Sequence, residues 1–288
     1  MKRTLLAATL LISSLSVLYA QSPHRFQPGF NLFSKEQDIQ LGEESAAQVR
    51  KEKMVIQDPV LTDYVNRVGK RLAASQEAAN SGFPFTFEVV ADPTINAFAL
   101  PGGHMFIHTG LLKSVDNEAQ LAGVMGHEMS HVILRHGTNQ ATKANLIQLP
   151  AALAGQLAGN GSMMGQLAQI GIGLGANSVL LKFSRSAESQ ADLTGSHIMA
   201  ESGYDPVQMA QFFNKLSSPG KGLAGSVAQF MSDHPNPDNR EKAIQEEARL
   251  LPVRQYGYET GDFKKMKAVV MKIHEPQPKP APQQQPAK

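Results

Sequence analysis

The feature that most constrains this chain is the pentapeptide His127-Glu128-Met129-Ser130-His131, which has the pattern H-E-x-x-H. Apolar residues recur at helical spacing around it, and Asp116 or Asn117 can cap a helix before it. Side chains four residues apart on an α-helix project about 40° from each other. The motif therefore predicts a helix, running through Gly137, that aims both imidazoles at one ion and holds Glu128 beside them as a general base.

The composition restricts the remaining ligands of such an ion. The 288 residues contain no cysteine, which excludes disulfides, thiol catalysis and cysteine-ligated metals and leaves His, Asp and Glu. A catalytic zinc site has three protein ligands and one open position. Glu188 and Asp192 form E-x-x-x-D on one face of a predicted helix over 184–201. We expect Glu188 to complete a site for one Zn²⁺ with His127 and His131, and Asp192 to accept a hydrogen bond from a ligand imidazole.

A second pair of histidines, His104 and His108, is also four residues apart, but it lies in a predicted strand. Four residues of a strand span about 13 Å, so these two rings cannot share an ion. The hairpin before this strand and the strand itself are candidates for an open edge that binds a peptide as an added strand, with an ordinary hairpin as the alternative. The residues expected at this edge are Gly102, Gly103, Met105 and Ile107.

The balance of charge argues against a nucleic-acid partner. Lys and Arg total 27 against 25 Asp and Glu, and two of the basic residues, Lys2 and Arg3, lie in the first few residues of the chain. There is no block of like charge of the kind that binds a polyanion. We therefore expect no nucleic acid among the partners.

The N-terminal segment predicts export. Lys2 and Arg3 precede an apolar stretch over 5–18, and Tyr19-Ala20 leads into polar residues, as in a cleaved signal peptide over 1–20. An uncleaved anchor is the alternative, but this apolar stretch spans only about 21 Å of helix, against a hydrocarbon core of about 30 Å. Because cysteine is absent, a lipoprotein anchor is excluded. The expected location is the periplasm.

Two further segments stand out by composition. Residues 144–181 carry no charge, which predicts a buried or partner-facing pair of helices. A transmembrane helix is the alternative there, and peripheral contact with a membrane or an envelope complex is the partner that this segment suggests. Residues 275–288 are rich in Pro and Gln and are expected to form a disordered tail.

Taken together, these residues resemble the gluzincin metallopeptidase family M48, and within it the exported bacterial branch concerned with assembly and quality control. The resemblance covers roughly Ser34 to Met271. The stretches that carry it are Asn96 to Gly103, Thr109 to Leu112, Leu121 to His131, Ser184 to Asp192, Gly203 to Pro206, and Asp233-His234-Pro235 with Arg240.

The resemblance implies an α+β fold, a predominantly helical zincin with a small mixed β-sheet, over residues 34–274 after a lead-in at 21–33. It implies zinc on His127, His131 and Glu188, with Glu128 as the base and Asp192 behind the ligands. The His-Pro segment leaves two roles open. His234, with Arg240 near it, is expected either to donate to the developing oxyanion or to occupy the open zinc position as a plug, and a plain loop histidine is the alternative.

The function that this resemblance implies is zinc-dependent endopeptidase activity on exported proteins that are unfolded or misassembled, in quality control of the envelope and outer membrane. The alternative is a chaperone-like binding module whose zinc is structural and which is latent or inactive as a protease. Coordination separates the two, because structural zinc sites are closed by four protein ligands. Nothing in the sequence indicates the oligomeric state.

Overall fold

The computed structural model describes residues 22–148, 182–217, 224–237, 239–252 and 255–276. Within these ranges the chain forms eleven α-helices and one sheet of three short strands. The helices are α1 (Lys35–Glu52), α2 (Pro59–Ala73), α3 (Gln76–Ser81), α4 (Thr109–Ser114), α5 (Glu118–Ile133), α6 (His136–Gln148), α7 (Arg185–Glu201), α8 (Val207–Ser217), α9 (Ala224–Asp233), α10 (Arg240–Leu250) and α11 (Phe263–Val270). The strands are β1 (Thr86–Val90), β2 (Ala97–Ala99) and β3 (His104–His108). The predicted class, mostly helical with a small mixed sheet, is confirmed.

The helix starts follow local capping chemistry. The side chain of Ser34 accepts a hydrogen bond from the backbone of Gln37, whose own side chain accepts one from the Ser34 backbone, so α1 begins with a capping box. Asp58 caps α2 and is followed by Pro59 at the first helical position. Asn117, one of the two residues expected to cap the motif helix, accepts from the backbone of Gln120. These contacts are all local in sequence, and a sequence pattern can therefore indicate a cap, as it does at Asn117.

The sheet has the order β1-β3-β2, with β1 parallel and β2 antiparallel to β3. This order shows that the prediction of an open edge at β3 is wrong. Met105 and Ile107 are in the central strand and fully buried in the core, because β1 pairs with the side of β3 that the hairpin leaves free. Of the two hairpin strands, β2 is the one at an edge of the sheet formed by the described residues.

The hairpin turn is also covered. Pro101–Gly103 forms a short 3-10 turn in which Gly102 has φ of 82°, a conformation that favours glycine. A β-carbon on Gly102 would lie 2.7 Å from the Cα of Ile39 in α1, so the turn packs directly on that helix. Gly102 and Gly103 are buried and therefore do not form the open peptide-binding edge expected of them.

The motif helix α5 lies at the centre of the molecule and packs on α7. A β-carbon on Gly195 of α7 would lie 3.1 Å from the backbone nitrogen of His127, so the two helices approach closely at the level of the motif. Their facing side chains are buried along almost the whole length of both helices. This contact places the motif of α5 opposite the E-x-x-x-D pattern of α7.

The motif helix is shorter than predicted. It ends at Ile133 rather than running through Gly137, and a new helix begins at His136. Arg135 between them has φ of 55°, in the left-handed region. Its side chain donates to Asp38 Oδ2 and to the carbonyl of Phe33, both at 2.6 Å, and these contacts hold the chain in the reversal. The reversal depends on residues about a hundred positions away, so the local pattern does not show it.

Several predicted segments lie outside the described residues. They are the signal peptide over 1–20, most of the uncharged stretch over 144–181, and most of the tail. The lead-in is described from residue 22, and its Asn31 donates to Thr138 of α6 at 2.7 Å. In the ranges that the structure covers, no helix combines the length and the apolar character that a membrane crossing requires.

Candidate metal centre

Four side chains converge at the contact of α5 and α7. They are His127 and His131 from α5, Glu188 from α7 and His234 from the segment after α9. All four are buried, and one ligand atom from each lies within 4.8 Å of the others. The sequence-predicted ligands are therefore brought together, and His234 joins them.

The spacing of these atoms fits one metal ion. Ligand bonds of about 2.0 to 2.2 Å in a tetrahedral site put neighbouring ligand atoms about 3.4 Å apart. Nε2 of His127 lies 3.0 Å from Nε2 of His131 and 3.2 Å from Oε2 of Glu188. Nε2 of His131 lies 3.3 Å from Oε1 of Glu188. The donor set and its dimensions thus suit a small divalent cation.

The network behind the ligands is built from α7 and α10. Oδ1 of Asp192 lies 2.9 Å from Nδ1 of His127, so that Nδ1 carries a proton and Nε2 is free to bind an ion. Arg240 donates from Nε to Oδ2 of Asp192 at 2.7 Å and from Nη2 to Oδ1 at 2.8 Å. Nη2 also lies 3.2 Å from Oε2 of Glu188. Arg240 therefore holds the carboxylates of Asp192 and Glu188, and its expected place near a developing oxyanion stays a prediction.

A different group lies behind His131. Its Nδ1 is 2.9 Å from Nδ1 of His136, and Nε2 of His136 is 3.1 Å from Oε1 of Gln190. Phe183 stacks on the His131 ring, with 3.7 Å between centroids and 15° between planes. Burial lowers the pKa of His136 to about 4, so His136 is neutral near pH 7.

Glu128 is held beside the cluster by the sheet. Its Oε2 accepts a hydrogen bond from the backbone nitrogen of Ala99 in β2 at 3.3 Å. Its Oε1 is buried, has no hydrogen-bond partner among the described residues and lies 3.4 Å from Nε2 of His234. Burial raises the pKa of Glu128, which brings it closer to neutral pH as a proton acceptor requires. A carboxylate with one anchored and one free oxygen can take up and release a proton at the free one.

The two glutamates of the site differ in their electrostatics. Burial alone would raise the pKa of Glu188, but the His234 and His127 rings lower it well below its ordinary value. Glu188 is therefore an anion, as a metal ligand must be. Its neighbour Glu128 keeps a raised pKa because burial outweighs the same two rings. The same buried region therefore favours the ionised form of Glu188 and the protonated form of Glu128.

The chain is similar to known proteins of one family. Residues 59–248 match the family model described as Peptidase family M48. The chain is 33% identical over 214 residues to the beta-barrel assembly-enhancing protease of Escherichia coli strain K12, covering 71% of this chain and 42% of that protein. This chain belongs to peptidase family M48.

Two further relatives are also similar to this chain. The chain is 31% identical over 217 residues to the beta-barrel assembly-enhancing protease of Yersinia pestis, covering 72% of this chain and 43% of that protein. It is 33% identical over 201 residues to the mitochondrial metalloendopeptidase OMA1 of Schizosaccharomyces pombe, covering 70% of this chain and 56% of that protein. The M48 chain described here thus spans less than half of the two bacterial relatives. Family M48 consists of metal-dependent peptidases, and the buried cluster of this chain has residues that could hold such a metal.

Some residues of this M48 centre escape sequence reasoning. His136 and Phe183 contact His131, and Gln190 contacts His136, yet no spacing rule singles these three residues out. On a continuous helix His136 would project about 140° away from His131, because five residues turn the helix by about 500°. Only the break at Arg135 brings the two rings together. His104 and His108 lie in strand β3, as predicted. His104 contacts Thr86 in β1, and neither histidine is part of the cluster.

Proposed function

We propose that this chain is a zinc-dependent endopeptidase that hydrolyses peptide bonds of exported proteins. The observation that carries the proposal is the position of Glu128, whose Oε1 is buried without a hydrogen-bond partner among the described residues, beside a cluster of ligand atoms from His127, His131 and Glu188. Two imidazoles and one carboxylate are a ligand set that suits zinc. Membership of a protease family supports the hydrolysis of peptide bonds.

The residues of the chain divide the work. His127, His131 and Glu188 would hold the zinc ion, which when bound would polarise the scissile carbonyl and acidify a water molecule. Glu128 accepts the proton of the attacking water at Oε1 and returns it to the departing amide nitrogen. The Ala99 hydrogen bond holds the other carboxylate oxygen during both transfers. No covalent intermediate with the protein is needed.

We further propose that the substrate lies along β2 rather than β3. The backbone of β2 reaches Glu128 through Ala99, so a peptide that adds to this outer strand passes beside the proton acceptor. Main-chain hydrogen bonds to a strand edge require an extended substrate, which an unfolded or misassembled protein offers. This argument supports proteins that have lost their fold as the substrate class.

The envelope role is supported by sequence and by relatives. The composition of residues 1–20 is that of a cleaved signal peptide, which favours a periplasmic enzyme. Relatives named beta-barrel assembly-enhancing protease support quality control of outer-membrane proteins as the task. The mass of the protein recovered from a periplasmic extract tests export, because loss of residues 1–20 is the expected result and an intact N-terminus contradicts it.

A second candidate function has its own observation. Nδ1 of His234 lies 3.1 Å from Glu188 Oε1 and 3.4 Å from His127 Nε2, in the position of a fourth ligand. Four protein ligands are typical of structural zinc. A binding module that holds unfolded clients around a closed zinc site is therefore the alternative, and a protease with this geometry needs His234 to move away.

The deciding experiment compares the parent with Glu128→Gln on a denatured protein such as casein, with bound zinc and melting temperature measured for both. We expect the variant to retain zinc and fold while losing roughly 10² to 10⁴-fold in rate, the range for loss of a general base. Equal rates in the two proteins, at equal zinc content, would refute the peptidase mechanism. Zinc binding without cleavage in either protein would favour the binding module.

A further inference from the structure

We propose that His136 is a positioning residue for the metal ligand His131 and that Gln190 sets the orientation of His136. The inference rests on the proposed function, because it assumes that Nε2 of His131 binds zinc. It adds two residues of this chain that act on zinc affinity without touching the ion.

The directions of the hydrogen bonds follow from the chemistry of imidazole. If Nε2 of His131 binds an ion, the neutral ring must carry its proton on Nδ1. That N–H can donate only to an atom with a free lone pair, and Nδ1 of His136 is 2.9 Å away. His136 must then carry its own proton on Nε2, which lies 3.1 Å from the amide oxygen of Gln190. One orientation of each group therefore satisfies the whole chain of bonds.

The side of the His131 ring away from the cluster is held by two contacts. Phe183 stacks on one face, which allows the ring to slide but fixes its plane. The hydrogen bond to His136 fixes the direction within that plane, so that Nε2 points at Nε2 of His127 and at Glu188. Plane and direction together define the ligand position.

The two ligand histidines are supported in different ways. His127 is backed by the carboxylate of Asp192, whereas His131 is backed by a neutral ring. A carboxylate acceptor raises the basicity of a ligand imidazole more than a neutral acceptor does. His131 is therefore the less basic of the two, and its binding depends on geometry more than on charge.

The break between α5 and α6 brings His136 against His131. Arg135 adopts the left-handed conformation and is tied to Asp38 and to Phe33, so His136 is presented to His131 as the first residue of α6. A strained backbone residue that persists needs such external bonds. The break at Arg135 thus places His136 for its hydrogen bond with His131, and Gln190 of α7 contacts His136 from the other side.

The test measures zinc affinity by competition with a chromophoric chelator on the full chain, for the parent, His136→Ala, His136→Asn and the control His104→Ala. Loss of the partner of a metal-bound histidine weakens affinity by about 10 to 100-fold. We expect His136→Ala to show that loss, whereas His136→Asn, whose amide oxygen can replace Nδ1 as acceptor, recovers most of it. His104 is hydrogen-bonded to Thr86 outside the cluster, so its removal should leave affinity unchanged.

A second readout separates positioning from a general structural effect. The visible absorption of the Co²⁺-loaded protein reports ligand geometry, and the melting temperature of the metal-free protein reports the fold. We expect His136→Ala to change the Co²⁺ spectrum and His136→Asn to restore it. Gln190→Leu should weaken zinc binding less than His136→Ala, because it removes only the acceptor that orients His136.

The possible outcomes distinguish this inference from the proposed function. Parent-like zinc affinity and Co²⁺ spectrum in His136→Ala would overturn the inference while leaving the peptidase intact. Equal losses in His136→Ala and His136→Asn, with lowered metal-free melting temperatures in both, would also overturn it, because a structural defect would explain them. A parent protein that binds no zinc would overturn the proposed function and this inference together.

Discussion

Nδ1 of His234 lies 3.1 Å from Oε1 of Glu188, inside the group of atoms that face the metal position. The segment that carries His234 joins α9 to α10, and α10 begins with the Arg240 that binds Asp192 and Glu188. His234 and Arg240 are close together in the sequence, and they contact the two carboxylate oxygens of Glu188, Oε1 and Oε2.

Removal of the His234 side chain tests whether it closes the site. We expect His234→Ala to cleave denatured protein roughly tenfold faster than the parent, as follows if the closed arrangement is favoured by about 1.4 kcal/mol. The rate constants of the two proteins at equal zinc content provide the measurement. A fall in rate would contradict closure and assign His234 to the developing oxyanion instead.

Removal of Asp192 tests the buried ion pair. Asp192 and Arg240 are both buried and share two hydrogen bonds, so Asp192→Ala leaves a buried guanidinium without its main partner. We expect the free energy of unfolding to fall by about 3 to 5 kcal/mol, measured by denaturant titration of the metal-free protein. The double variant Asp192→Ala/Arg240→Met should recover part of the loss. A double variant less stable than the single one would count against this explanation.

A buried histidine away from the metal predicts a pH dependence of stability. Nε2 of His197 lies 2.6 Å from Oε1 of Glu247, and Glu77 lies on its other side. Burial alone would lower the pKa of His197, but the two carboxylates raise it above its ordinary value. The stabilisation is therefore complete below the unfolded pKa of about 6.5 and is lost as pH rises through the raised value.

The variant His197→Gln, which does not titrate, isolates this term. We expect the difference in unfolding free energy between parent and variant to be largest near pH 6 and to shrink as pH increases. Thermal or denaturant unfolding across this range measures it. A difference that stays constant or grows towards alkaline pH would show that the ion pairs do not stabilise the protein.

Close packing of α1 on the hairpin turn predicts intolerance at Gly42. A β-carbon there would lie 1.8 Å from the carbonyl oxygen of Pro101, a backbone atom that cannot move without its turn. Gly42→Ala should therefore destabilise the protein by about 1 to 3 kcal/mol despite the higher helix propensity of alanine. The exposed Gly225 of α9 has no neighbouring atom within 4 Å of such a carbon, so Gly225→Ala is the matched control. Equal unfolding free energies for the two variants would contradict the clash.

The features that the sequence predicts are those in which neighbouring residues decide the outcome. Capping side chains contact backbone atoms two or three residues away, and the spacing of His127 and His131 follows from helix geometry alone. The pairing of Glu188 and Asp192 is equally local. These patterns identify His127, His131 and Glu188 as candidate ligands and contribute to the family resemblance, which in turn implies the fold class.

The errors arose where distant segments compete for the same surface. β3 is internal because β1 pairs with it from outside the hairpin, so Met105 and Ile107 face the core rather than a peptide. The contacts of Arg240 with carboxylates of α7 also join distant segments, so no neighbouring residue in the sequence indicates them.

By itself the sequence determined which residues can bind a metal and on which helices they stand, because helical periodicity is a property of the local chain. Only the tertiary structure decided what surrounds them: His234 among the ligand atoms, His136 behind His131 and β2 against Glu128. Each of these contacts joins segments separated by a chain reversal or by many residues. Their formation depends on which packing of the whole chain has the lowest free energy, and short stretches of sequence do not determine that.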